Sequence, residues 1–87
     1  MPTVWIPALL RDLTGGQDTV SASGATVAEV IEALERKYPG IKQRLCNADG
    51  LRAGMTVVVD TELAGLGLLQ PVREKSEIHF LPAIAGG

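Results

Sequence analysis

The residues most able to do chemistry stand at the end of the chain. Ala83-Ile84-Ala85-Gly86-Gly87 finishes in an α-carboxylate on a residue that has no side chain. Glycine lets backbone pass through a narrow channel and leaves the terminal carbonyl open to attack. A carboxylate is a poor electrophile, so exchange of its oxygen for sulfur requires prior activation, and adenylation by ATP supplies the leaving group. The pattern suits the acyl substrate of an adenylating enzyme. Gly87 is then the reacting group, with Ile84, Ala85 and Gly86 as a flexible arm for a partner to grip. Glycine averages about 7% of residues, so paired terminal glycines arise by chance in about 0.5% of chains. A frayed, glycine-containing end is the alternative reading of the tail taken alone.

Other reactive types are poorly placed. His79 is the single histidine and has no acid or cysteine at a ligand-like spacing, so it reads as a strand residue on the surface. Cys46 adjoins a polar loop that could leave it accessible, but it has no base or metal-ligand partner nearby in sequence. Gly15-Gly16 lacks a following lysine and helix start, which excludes a phosphate cradle and leaves a hairpin turn. Glu29, Glu32 and Glu35 read as a solvated helix face. No residue set in the chain predicts a metal or a cofactor bound by this protein.

The elements that must present the tail follow from periodicity. Thr3 to Leu10 reads as a strand whose pairing Pro7 limits. Thr14-Gly15-Gly16-Gln17 is a turn, and Asp18 to Ala22 completes a hairpin. Thr26 and Glu29 form a capping box ahead of a helix whose apolar stripe is Val27, Val30, Ile31, Leu34 and Tyr38. Pro39-Gly40 stops it, and Ile41 and Leu45 predict one further short turn. Asn47 to Gly54 reads as a polar loop. Met55 to Asp60 predicts a strand with Met55, Val57 and Val59 inward and Val58 outward. Leu63 to Val72 is interrupted by glycine and supports a short strand or a crossover. Arg73 to Ser76 is a turn, and Glu77 to Leu81 is the last strand, with Ile78 and Phe80 on one face and His79 and Leu81 on the other. The order β-β-α-β-(β)-β describes a two-layer α+β domain.

Composition narrows the function classes. Eighty-seven residues make one small domain, here with an apolar fraction of 46% and a net charge of −2. There is no basic stripe for nucleic acid, no apolar run near the ~20 residues that span a bilayer, and no opening signal segment. One cysteine cannot form an internal disulfide. These features point to the cytoplasm, with neither nucleic acid nor membrane as partner.

Beyond its tail the chain resembles the ubiquitin-like sulfur carriers of the MoaD/ThiS family. The resemblance spans nearly all of it and is most specific at Phe80-Leu81-Pro82-Ala83-Ile84-Ala85-Gly86-Gly87. Thr14-Gly15-Gly16-Gln17, Gly24-Ala25-Thr26-Val27 and Tyr38-Pro39-Gly40-Ile41 support it, and within the family the chain is most similar to the carriers used for cysteine synthesis. The resemblance implies a β-grasp fold, with a mixed sheet of four to five strands and one main helix across it. Residues 1–82 would form the domain and 83–87 the tail. It also implies a carrier rather than an enzyme. A ubiquitin-activating-type enzyme would adenylate Gly87 with ATP, and a sulfur donor would then displace AMP to leave a thiocarboxylate. A cysteine synthase-like enzyme using pyridoxal phosphate would take the sulfur, and a metal-dependent peptidase would release the product. ATP, metal and pyridoxal phosphate belong to these partners.

In such a sheet the first, last and third strands are neighbours. Trp5, Val58, His79 and Leu81 would then share the open face beside the root of the tail, as a patch that docks the activating enzyme. The competing view is a scatter of ordinary exposed apolar residues. Rival functions keep the tail but change its recipient. They are the small subunit of molybdopterin synthase, paired with a large subunit, a sulfur donor to thiazole, or a modifier joined to lysines by isopeptide bonds. A plain interaction module with an incidental tail is the remaining class.

Overall fold

Hydrophobic periodicity and turn chemistry resolve, in a computed structural model, into a mixed sheet with one helix packed across it. The structure describes residues 1–48, 50–52 and 54–82. Four strands and an edge segment pair in the order β2-β1-β7-β5-β6. They are β1 (Thr3–Trp5), β2 (Thr19–Ser21), β5 (Met55–Val59), β6 (Glu62–Leu63) and β7 (Glu77–Pro82). β1 and β7 run parallel and every other pairing is antiparallel. This is the expected α+β, β-grasp arrangement, with five strands.

The first strand is shorter than the Thr3–Leu10 segment predicted. Pro7 has no amide hydrogen to give the ladder, and the chain turns there into a 3-10 turn at Ala8–Leu10. Gly15 and Gly16 follow at φ +67° and +87°, which a side chain would resist. The Thr14 hydroxyl, itself buried, closes this turn by donating to the Gln17 carbonyl at 2.8 Å.

The main helix α1 (Val27–Lys37) buries Val27, Val30, Ile31 and Leu34 against the sheet, while Tyr38 is half-buried at its end. Opposite them lie Val4, Ile6, Val20, Val57, Val59, Ile78 and Phe80, all in the same core. Thr26 caps α1 by accepting from the Glu29 amide at 3.2 Å. The return bond is displaced by one residue: the Glu29 carboxylate accepts from the Ala25 amide at 3.1 Å. A second helix, α2 (Ile41–Leu45), buries both Ile41 and Leu45 as expected. Glu35 is not merely solvated. It accepts from the amides of Lys42 at 2.9 Å and Gly40 at 3.1 Å, and so caps α2 from outside its own helix. Those two amides, Lys42 first, hold its carboxyl below the usual value.

Part of the stretch read as a polar loop is instead a small hairpin, β3 (Cys46–Asn47) with β4 (Gly50–Leu51). The long crossover after β6 is fastened to the start of α1. The Gln70 carbonyl accepts from the Val27 amide at 3.0 Å, and the Val72 amide donates to the Ala25 carbonyl at 2.9 Å. A helix N-terminus that would otherwise leave amides unpaired is thereby satisfied. Leu68 packs on the core, whereas Leu66 and Leu69 are exposed. The glycine-rich segment therefore contributes only Leu63 to the sheet.

Candidate functional site

The site is built on β7, a central strand flanked by β1 and β5, whose end leads into residues 83–87. Alternation along β7 drives Ile78 and Phe80 into the core at 0% and 1% exposure. Glu77, His79 and Leu81 consequently share the opposite, open face.

Register then brings the predicted patch together. Trp5 on β1 is the partner of His79, and Val58 on β5 is the partner of His79 from the other side. Leu81, 46% exposed, stands across from Thr56 one step nearer the tail. The Trp5 and His79 rings are stacked, and the indole N–H donates to the Glu77 carboxylate at 3.1 Å. Trp5 is thus held at both its face and its nitrogen while 38% of it stays accessible. His79 is half-buried beneath this arrangement. It is less open than the surface strand residue expected, because the Trp5 indole covers it.

Leu63 extends the same row and was missed in the sequence. It pairs with Val58 across the β5–β6 hairpin and is 73% exposed. Thr19, Trp5, His79, Val58 and Leu63 therefore cross the open face in one line. The signal for Leu63 lay in the two-residue turn at Asp60-Thr61, which fixes its register. Both turn residues have positive φ, 51° and 72°, as a tight hairpin requires. Asp tolerates the left-handed region, but the β-branched Thr61, where glycine is usual, hides the turn. The turn is locked by Asp60, whose carboxylate accepts from the Glu77 amide at 2.9 Å and the Ser76 hydroxyl at 2.8 Å. These donors, the amide foremost, hold its carboxyl below the usual range.

Gly87, Gly86, Ala85 and Ile84 lie outside the described residues. Gly87 stands five positions beyond Pro82, so the chain can carry its carboxylate at most about 17 Å from the end of β7. Cys46 departs from expectation. It is buried at 7% exposure rather than accessible, and burial pushes its thiol above the usual value. A buried thiol held in its neutral form is a poor nucleophile. Among the described residues no group of three or more His, Cys, Asp or Glu converges as a metal set, and no helix is long and apolar enough to cross a membrane.

Comparison with known proteins covers the whole of this architecture. The model of the ThiS family matches residues 4–87. The chain is 41% identical over 91 residues to the sulfur carrier protein CysO of Mycobacterium tuberculosis, with 98% of this chain and 97% of that protein covered. A crystal structure of Mycobacterium tuberculosis CysO superposes with a TM-score of 0.89 at 38% identity, over 97% of this chain and 100% of that one. A chain of the Amycolatopsis orientalis BexX/CysO complex superposes with a TM-score of 0.92 at 40% identity, over 100% of both chains.

Proposed function

Because the chain belongs to the ThiS family, we propose that it is a sulfur carrier whose Gly87 carboxylate is adenylated and then converted to a thiocarboxylate. One observation carries the reading: the match to the family model runs through residue 87, so the terminal Gly86-Gly87 is included in it. The likeness to CysO also favours cysteine synthesis as the destination of the sulfur.

The chemistry is acyl activation followed by substitution. An oxygen of the Gly87 carboxylate attacks the α-phosphorus of ATP, and pyrophosphate leaves. Hydrosulfide, free or delivered by a donor protein, then adds at the carbonyl carbon. The new C–S bond forms as the C–O bond to AMP breaks, and with hydrosulfide as the nucleophile neither carbon nor sulfur changes oxidation state. The catalytic groups and the ATP site belong to the activating enzyme, and pyridoxal phosphate and metal to the enzymes that take the sulfur and release the product. This chain supplies the acyl group and the surface by which it is recognised. Trp5, His79, Val58 and Leu81 form that surface, and Ile84, Ala85 and Gly86 thread Gly87 to the reacting centre. The chain acts as a co-substrate, with the cytoplasm as the compartment.

The test is the intact mass of protein incubated with its activating enzyme, ATP and sulfide. A thiocarboxylate adds about 16 Da, the same nominal step as one oxidation of Met or Cys, so fragment spectra must place it on Gly87. The mass shift is expected in the full chain and absent after deletion of Gly86-Gly87. A full chain that is never adenylated overturns the proposal. Transfer to an activated serine derivative, leaving cysteine joined to Gly87, distinguishes cysteine synthesis from a molybdopterin or thiazole destination.

A further inference from the structure

We propose that the cleft beside α2 is an anion site, in which Arg44 and Arg52 together hold a tetrahedral oxyanion of the phosphate class, free or carried on a small molecule. None of Trp5, Val58, His79 and Leu81 lines it, and the inference stands independently of the carrier reading.

Local structure brings the two arginines to one space. α2 carries Gln43 and Arg44, and the β3–β4 hairpin then turns the chain back along it, so that the Arg52 amide donates to the Leu45 carbonyl at 3.0 Å. The Arg52 side chain returns the same way, and its Nε donates to the Gln43 carbonyl at 2.8 Å. Arg44 Nη2 donates to the Leu9 carbonyl at 3.1 Å. Each guanidinium is thus oriented by one bond to backbone. A guanidinium carries five N–H donors in a rigid fork, so one such bond aims the fork without exhausting it. Leu13, Gly40 and Gln43 complete the lining of a cleft of about 530 Å³.

Charge names the ligand. Among the described residues no acidic side chain lines the cleft and neither arginine is ion-paired, although ten acids outnumber eight bases in the chain. Glu35, which accepts from the Gly40 amide, lines the neighbouring cleft instead, with Glu32 and Lys42. Two cations that face one space repel each other, and an anion between them reverses the sign of that interaction. A carboxylate is filled by a single guanidinium fork. Two forks are matched by a group with more oxygens and more charge, and a phosphate dianion has both. The cleft falls in the size range of small-molecule pockets, so a phosphoester fits as well as the free ion.

The test is titration of the full chain with inorganic phosphate at about pH 8, where it is a dianion, followed through the amide resonances of Gln43, Arg44 and Arg52. Sodium chloride and acetate at matched ionic strength are the controls. We expect saturation with a Kd of about 1 mM, as a few charge-assisted bonds on an exposed surface give. Arg44→Gln and Arg52→Gln are each expected to raise it about tenfold. Both side chains are exposed, and thermal unfolding checks that each variant remains folded. AMP binding more tightly than inorganic phosphate assigns the anion to an ester; equal or weaker binding of AMP assigns it to the free ion. Shifts that grow linearly without saturating, or that chloride reproduces, overturn the site. Acetate binding as tightly as phosphate overturns the tetrahedral class, and an unchanged Kd in both folded variants overturns the assignment to these arginines. Each of these results leaves adenylation of Gly87 untouched.

Discussion

The indole of Trp5 lies flat on the imidazole of His79, with ring centroids 5.1 Å apart and planes within 8°. The contact exists because the two residues are register partners on parallel strands, and strand alternation turns both away from the helix. It ties the N-terminal strand to the strand that ends at the tail.

That relationship makes Trp5 the anchor to test first. Trp5→Asp is expected to lower kcat/KM for adenylation about 30-fold, as loss of an aromatic anchor worth about 2 kcal/mol would. The fold should persist with a modest fall in melting temperature, because the core side of β1 is Val4 while the stack on His79 and the bond to Glu77 are lost. Unaltered turnover in the folded variant would remove the sheet patch from the docking account.

Gly24 approaches the start of α1 so closely that a Cβ there would lie 2.6 Å from the Val30 amide nitrogen and 2.9 Å from the Glu29 carbonyl carbon. Both are backbone atoms and cannot swing aside. Gly24→Ala is expected to destabilise the fold by about 3 kcal/mol or more. Urea unfolding measures it, and a loss under about 1 kcal/mol would show that the loop yields.

The Thr26 cap offers a milder perturbation. Thr26→Ala removes the acceptor for the Glu29 amide and is expected to cost about 1 kcal/mol. In a domain of this size that lowers the melting temperature by about 4–8 °C. Thr26→Ser should retain most of the stability.

Asp60 and Glu35 set an acid limb. Both carboxyls have folded-state values below the ordinary ones, because donors favour their charged forms. In the interval between the two values the unfolded chain binds more protons, so stability rises with pH there. Their contribution is complete above the unfolded carboxylate range and is lost as pH falls below about 4 through the folded values. Asp60→Asn is expected to lower stability at neutral pH and to flatten this limb, as read by urea midpoints from pH 2 to 7. An unchanged slope would show that the Ser76 and Glu77 donors are not what holds the carboxyl down.

Much of this was legible in the chain. The helix announced itself through Thr26, Glu29 and a strict apolar stripe, which are local signals. The inward and outward faces of β5 and β7 follow from alternation alone, whereas grouping Trp5, Val58, His79 and Leu81 on one patch also needs the β-grasp strand order that the resemblance implies. What escaped was non-local. Glu35 was read as solvated because its partners are amides of the next helix. Cys46 was read as accessible because its burial depends on how α2 and the small hairpin close over it. The strand from Thr3 was drawn too long because Pro7 limits pairing without saying where the chain goes next.

By itself the sequence determined the two-layer α+β order of elements and the facing of β5 and β7, since helix caps and twofold periodicity are properties of neighbouring residues. Only the tertiary structure decided that Leu63 joins the row and that Trp5 stacks on His79. The stack joins residues dozens of positions apart, and the hairpin at Asp60-Thr61 sets the register of Leu63, in ways that no local pattern encodes.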